Sequence, residues 1–419
     1  MRFIADFHLH SKYSRATSKE MGVESLARWA KKKGITLLGT GDFTHPTYFV
    51  ELKAKLAPLG NGLFELKNGD KDVTFILTTE VSNIYRQDGK GRRIHTLIFA
   101  PSFEVTEVIR SKLGNLGKLS SDGRPIFSFA AKDLVKMILD ISEECMLIPA
   151  HAWTPWFSIF GANSGFDSIE ECFGDMTPHI HAIETGLSSD PEMNWRLSAL
   201  DNITLISNSD AHSPNRLGRE ANAFDCVLDY KEVTETLRKK DRRKFLFTLE
   251  FFPEEGKYHY DGHRHCGVIF SPSQTKSHQS LCPVCKKKLT GGVLNRVEQL
   301  ADRPEGFMPK NAIPSIHLIP LEEIIAESLN QRVGTKGVDT EYERLVERGG
   351  SEFKILLDAP PDELATFVPA RILEGIIRMR QGKVSIVPGH DGVYGKISLF
   401  PDKPDKKEGD EAKEQLKLF

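Results

Sequence analysis

FIADFHLHS, Phe3 to Ser11, is the stretch from which the rest of the chain can be read. In an extended strand, residues two apart share a face. Phe3, Ala5, Phe7 and Leu9 therefore fall on one side, suited to a core, and Ile4, Asp6, His8 and His10 fall on the other. Two imidazoles on one side of a strand end can grip a metal ion. A half-exposed strand with incidental histidines would show the same pair, so the pair needs support from elsewhere.

Six more apolar runs follow before about residue 250: GITLLGTGD, VTFILTTEV, IHTLIFA, CMLIPAHAW, HAIETG and ITLISNSDAH. Amphipathic stretches such as VESLARWAKKKG and AAKDLVKMILDISEE separate several of them. Strand followed by helix, repeated, reads as an α/β barrel or parallel sheet. Polar residues recur at the expected strand ends: His8 and His10, Asp42, Glu80, His95, His151, then Asp210 and His212. One would mean little. Eight, on the face where barrel active sites sit, predict a metal centre. Histidine nitrogens with carboxylates suit zinc, manganese or iron better than magnesium.

With 419 residues the chain should hold two or three domains. Its net charge of −2 argues neither for nor against nucleic acid, so any basic binding surface must be local. No apolar run of about 18 residues predicts a membrane span. The N-terminus lacks a charged start with an apolar signal core, and a cytoplasmic, nucleoid-associated placement is expected. Six cysteines in this length do not suggest a disulfide framework.

Three of those cysteines cluster. DGHRHCGV and LCPVCKKKL place His263 and Cys266, then Cys282 and Cys285, as two pairs with two-residue gaps. That spacing predicts a closed structural zinc site. His259 and His265 compete for the fourth position; His263 reproduces the gap of the other pair. Lys286, Lys287 and Lys288 follow as a local basic contact for a DNA backbone. RKKDRRK, Arg238 to Lys244, is a second basic run that a solvated helix face explains equally well.

Boundaries are expected at 1–255 for the barrel, 256–294 for the zinc module and 295–400 for a mainly helical part closing in a hairpin. Residues 401–419 have almost nothing to bury and should form a disordered tail. Between the PAH and SDAH motifs, WTPWFSIFGANSGF carries Trp153, Trp156, Phe157, Phe160, Asn163, Ser164, Gly165 and Phe166. A packed loop has this composition, and so does a pocket that accepts a flipped base.

HLHS, the acid of LTTEV, the central PAH and the late SDAH together resemble the PHP (polymerase and histidinol phosphatase) superfamily, distorted seven-stranded β/α barrels that cleave phosphoesters with two or three metals. The resemblance implies that His8, His10, Glu80 and Asp210 hold one ion, and that Glu80 bridges to a second with His95 and His151. His212 with Asp42 would hold a third. Here the chain departs from the pattern: relatives often read TDH where it reads GDF, leaving His45 as the alternative to Asp42, and YSRATS lacks a histidine many relatives carry. Ions about 3.5–4 Å apart activate water and neutralise charge on a phosphodiester. Glu80, His151 and Asp210 are the residues expected to be indispensable for catalysis.

The barrel, the segment GHRHCGV to CPVCKKKLTGGVLNRVEQLADRP and the closing KVSIVPGHDGVYGKI resemble, in one order and over nearly the whole chain, the endonuclease Q family. That resemblance implies nicking of DNA on the 5′ side of uracil, hypoxanthine, xanthine or an abasic site, leaving a 3′-hydroxyl and a 5′-phosphate. It implies two or three divalent metals in the barrel (zinc, with manganese, magnesium or iron as alternatives) and one structural zinc. A small-molecule phosphatase would leave the zinc module unexplained, and a non-catalytic DNA-binding adaptor would leave the ligands unexplained. The chain ends in QLKLF, which resembles the short peptides by which repair proteins dock on a DNA sliding clamp. Gln415 would hydrogen-bond at the rim, and Leu416, Leu418 and Phe419 would fill apolar pockets.

Overall fold

The computed structural model describes residues 1–400. All seven apolar runs form strands: Arg2–Asp6, Leu37–Gly39, Thr74–Gln87, Lys90–Ala100, Met146–Pro149, Ala182–Glu184 and Thr204–Ile206. The first three pair in parallel in that order. The next two follow antiparallel, and Ala182–Glu184 pairs in parallel with Thr204–Ile206. The result is a mixed α/β fold with a large sheet. On its other edge Arg2–Asp6 pairs antiparallel with Ala221–Asp225, which pairs with Phe245–Glu250. Those two strands lie outside the seven runs. Phe245–Glu250 then pairs in parallel with Ser315–His317, so the segment leading into the C-terminal helices donates an edge strand to the large sheet.

The long hairpin Thr74 to Ala100 is made by its turn. Gln87 faces Lys90 across the ladder, leaving Asp88 and Gly89 as a two-residue loop with φ of 52° and 76°. Asp-Gly accepts positive φ at both positions, and the twist of such a turn matches that of the strands. Glu80 and His95 therefore lie in the middle of long strands and not at strand ends. Glu80 opposes Leu97 while His95 opposes Ser82, so the two are diagonal neighbours on one face.

Two apolar layers flank the first strand. Phe3, Ala5 and Phe7 join one cluster and Ile4 the other, as alternation requires. Leu9, expected beside Phe7, packs with the cluster of Ile4. The strand ends at Asp6, and beyond it the chain bends to a single bridge between Leu9 and Ala211, so the two-residue period no longer applies.

The Val23–Lys33 helix buries Val23, Leu26, Ala27 and Ala30, a helical stripe, and closes on Gly34 at φ 90°. Lys33 at its end is also buried and meets Glu352 at 2.7 Å; Glu352 also accepts from Tyr342 at 2.7 Å and from the Leu321 amide at 3.0 Å. Glu352 thereby ties the Val23–Lys33 helix to Leu321–Leu329 and Lys336–Gly349, and the helix Ala370–Arg380 packs against the first of these two. Truncating Glu352 would strand a buried cation, at a cost of about 3–5 kcal/mol. The closing hairpin is Ser385–Val387 with Lys396–Ser398. Among the described residues no helix is long and apolar enough to cross a membrane.

Candidate metal centre

Asp6 is the anchor of the site and not part of its surface. Its carboxylate accepts from Ser209 N (3.1 Å), Ser209 Oγ (2.6 Å) and Gly218 N (3.0 Å), drawing the SNSDAH loop onto the end of the first strand. Burial pushes this carboxyl up to about 6, against those hydrogen bonds.

Asp210 thereby reaches the two histidines. His10 Nε2 lies 3.1 Å from Asp210 Oδ1 and 3.3 Å from Glu80 Oε2, and His8 Nε2 lies 3.6 and 3.7 Å from the same atoms. His8 Nε2, His10 Nε2 and Asp210 Oδ1 are all buried with no hydrogen-bond partner. Orphaned polar atoms that converge on one point are costly unless something binds there. The far nitrogens explain the orientation. His8 Nδ1 donates to Glu184 at 3.0 Å and His10 Nδ1 to Asp42 at 3.1 Å, which leaves each Nε2 lone pair facing inward.

Glu80 serves two groups at once. Its Oε2 faces His8 and His10, while its Oε1 lies 2.8 Å from His95 Nδ1 and 3.1 Å from His151 Nε2. His95 Nδ1 and His151 Nε2 are 3.2 Å apart. Two nitrogen-and-oxygen ligand groups that share one carboxylate are a donor set for a pair of divalent cations, and the residues present fit them.

The electrostatics agree. Burial disfavours charge on His8 and His10, but carboxylates outweigh it (chiefly Glu184 for His8 and Asp42 for His10) and hold both well above the usual imidazole range. Burial likewise opposes ionisation of Glu80 and Asp210, yet His95 and Arg124 hold Glu80, and His8 and His10 hold Asp210, well below the carboxylate range. His95 is pulled down to about 4 by burial, against the charge of Glu80. Without a metal the carboxylates keep protons on two imidazoles, and a divalent ion would take their place.

Asp42 stands behind His10. Its oxygens accept from His10 Nδ1, from Ser11 N and Oγ (both 2.6 Å) and from Ser14 Oγ (2.8 Å), and it is in neither converging group. His212 sits beside Asp210, its Nδ1 2.8 Å from the Asp210 carbonyl and its ring 4.7 Å from that of His10. His45 caps the Pro46–Lys55 helix through Tyr48 N and stacks on Tyr13. His151, Asp210 and Asp42 hold positive φ of 31°, 46° and 44°. Gly186 makes room for His151, because a Cβ there would come within 2.5 Å of the His151 Cβ.

Two residues of this centre are absent from the sequence reading. Glu184 accepts from His8, from the His151 amide (2.7 Å) and from Asn208 (2.9 Å), binding three loops together. It ends the run HAIETG, so the signal was there. Arg124 reaches Glu80 Oε2 at 2.8 Å from a loop without periodicity, and nothing local marks it.

The aromatic stretch divides. Trp153, Phe160 and Phe166 are core residues: Trp153 packs on Phe160 and donates to Asn194 at 2.8 Å. Trp156 is 48% exposed, and the Arg93 guanidinium lies 4.8 Å from its ring. Phe157, at φ 62°, sets its ring 4.7 Å from His95. Asn163, Ser164 and Gly165 line a separate polar cavity of about 550 Å³ with Lys90, Arg92 and Arg296.

The ligand atoms of His263, Cys266, Cys282 and Cys285 form a second kind of cluster, with Cys285 Sγ 3.8 Å from His263 Nδ1. His265 and His259 are not among the four. A hairpin of Asp261–His263 and Val268–Phe270 carries one pair, and a tight turn from Cys282 to Lys287 carries the other. Three thiols and an imidazole are a donor set of structural zinc. Lys286, Lys287 and Lys288 are exposed beside it. Gln415, Leu416, Leu418 and Phe419, with the rest of the tail, lie outside the described residues.

A family profile described as the MJ0043 C-terminal domain matches residues 320–383. The uncharacterised protein MJ0043 of Methanocaldococcus jannaschii is 35% identical over 258 residues, covering 60% of this chain but only 32% of that protein's length. The uncharacterised protein YqxK of Bacillus subtilis is 30% identical over 414 residues, 94% of this chain and 99% of that one. The crystal structure of the lesion-specific endonuclease PfuEndoQ from Pyrococcus furiosus superposes with a TM-score of 0.84 at 33% identity, over 95% of each chain. Endonuclease Q in complex with a 27-mer duplex bearing an abasic lesion at the active site superposes with a TM-score of 0.82 at 34% identity, over 95% of this chain and 96% of that one.

Proposed function

The chain belongs to the endonuclease Q family, and we propose that it is a metal-dependent DNA repair endonuclease cutting the phosphodiester 5′ to deaminated bases (uracil, hypoxanthine, xanthine) and abasic sites. The observation that carries this reading is Glu80, whose two oxygens address two ligand groups, the first of which presents orphaned inward-facing atoms. Residues 1–255 are read as a distorted seven-stranded barrel of the PHP type, 256–294 as a zinc-stapled module and 295–400 as a mainly helical DNA-binding part.

His8, His10, Asp210 and Glu80 would hold one divalent ion, Glu80, His95 and His151 a second, and His212, with Asp42 close behind His10, a third. Bound there, such ions supply Lewis acidity and activated water for in-line displacement at phosphorus, leaving a 3′-hydroxyl and a 5′-phosphate. The chain's own residues do the rest. Glu184 and Asp42 hold the imidazoles in the ligating tautomer. Arg124, the cation on Glu80, stands where an anionic phosphate would approach the same carboxylate edge. Trp156 backed by Arg93 offers a stacking face for a base at the rim, and Lys286 and Lys287 meet the backbone. Gln415 to Phe419 would dock the enzyme on a sliding clamp, raising its local concentration on DNA near the nucleoid.

Purified protein is incubated with duplexes carrying uracil, hypoxanthine or an abasic site, with undamaged duplex, and with phosphate monoesters. Nicking confined to the lesion strands on the 5′ side, and lost in Glu80→Ala, is expected. Monoester hydrolysis without nicking would make the chain a small-molecule phosphatase, and lesion binding without cleavage would make it an adaptor.

A further inference from the structure

Away from the centre, a third group of ligand-type side chains converges where the barrel meets the C-terminal part. Asp190, Glu192 and His317 each present an atom within 4.8 Å of the others. Asp190 divides its carboxylate between two tasks: one oxygen caps the Pro191–Asn194 turn through Met193 N at 2.8 Å, and Oδ2 lies 3.3 Å from His317 Nε2. Glu192 accepts from Ser315 Oγ at 2.6 Å, and Ser315 and His317 share a face of the edge strand.

Two further buried atoms nearby have no partner. Glu250 is the register partner of His317 across the parallel ladder, so both side chains stand on the same face of the sheet. It is fully buried, and its Oε1 has no partner. His259, 5% exposed and close enough to feel the charge of Asp190, leaves Nδ1 without a partner. Among the described residues, none of the carboxylates of Asp190, Glu192 and Glu250 pairs with a lysine or arginine. Burial, with neighbouring carboxylates adding to it, raises Glu192 and pushes Glu250 up to about 8, so protons on these acids compete with any cation for the group.

We propose that Asp190, Glu192 and His317 bind one first-row divalent cation of the zinc or manganese class, clamping the loop after Ala182–Glu184 to the edge strand that leads into the C-terminal helices. One imidazole and two carboxylates suit such an ion, with water completing the shell. The clamp sits on working machinery, because the same loop carries Gly186, which packs against His151. The rival occupant is a proton: burial lowers His317, but the Asp190 hydrogen bond and charge outweigh it and hold the imidazole at about 9. A metal would have to displace that proton.

Full-length protein is dialysed to equilibrium against micromolar Zn²⁺, and in parallel Mn²⁺, and bound metal per chain is counted by elemental mass spectrometry. Asp190→Asn and His317→Gln should each bind one ion fewer than the parent while retaining the circular dichroism spectrum. Unchanged stoichiometry would mean an ion pair only and would overturn the proposal. Should the variants fail to fold, anomalous diffraction at the zinc edge on parent crystals decides. A peak among Asp190, Glu192 and His317 supports the site; peaks at the barrel centre and Cys module alone refute it.

Discussion

His263 and Cys285 are 22 positions apart, whereas His8 and the Glu184 that orients it are 176 apart. The Cys/His module draws all its ligands from one short segment whose own core is Val268, Cys282 and Leu289. The centre around Glu80 draws its ligands from loops and strands spread between His8 and Asp210, set on two large apolar clusters and held from behind by carboxylates. Both sets converge, but for different reasons. Three buried side chains cannot offset the ordering entropy of the segment, so there an ion would be part of the folding energy. Around Glu80 the core brings the ligands together first, and an ion would enter a prepared site.

The predictions follow from that contrast. Removing the ion from the Cys/His module, by Cys282→Ala or a strong chelator, should have the largest effect. Structural zinc contributes about 10–16 kcal/mol in zinc-finger peptides. Amides of residues 261–289 should exchange at the rate of unfolded chain while those of the strand Thr74–Gln87 stay protected. Equal loss of protection in both regions would erase the distinction.

Next comes Glu80→Ala. Loss of a shared carboxylate removes several kcal/mol of charge stabilisation, which at 1.36 kcal/mol per decade is a fall of at least about 10³-fold in nicking rate. Lesion-strand affinity should be largely kept, read by fluorescence anisotropy. Near-normal turnover would show that the two ligand groups do not act together.

Smaller effects should come from behind the ligands. Glu184→Gln and Asp42→Asn keep size and remove the charge that orients His8 and His10, and about 10–100-fold in activity or metal affinity is expected. Excess metal should restore much of it, because the ligands remain. If Asp42→Asn lowers the number of bound ions whatever the metal concentration, Asp42 ligates directly. Smallest should be Trp156→Ala, about 1–3 kcal/mol of stacking, seen as weaker binding of lesion-containing duplex with metal content unchanged.

How much of this could be read without the structure differs by residue. His8, His10, Glu80, His95, His151 and Asp210 carry ligand chemistry in their own side chains, and they sit in apolar runs that all became strands. Glu184 has the same kind of signal, an acid closing a strand, but its work is done through a histidine 176 positions away, and no local pattern reports that distance. The aromatic stretch shows the limit from the other side. Trp153, Trp156, Phe160 and Phe166 look alike in composition, yet three are core and Trp156 is exposed.

By itself, then, the amino-acid order determined seven of the strands, which side chains can bind metal, and that three cysteines with a nearby histidine close on themselves, because periodicity, turn chemistry and short ligand spacings act over a few residues. Only the tertiary structure decided that one carboxylate faces two ligand groups, that Arg124 lies on it, that Asp42 stands behind His10, and that His317 comes home to Asp190. Those relations depend on which distant segments the buried clusters press together. Burial is roughly proportional to the apolar area removed from water and carries no memory of position along the chain.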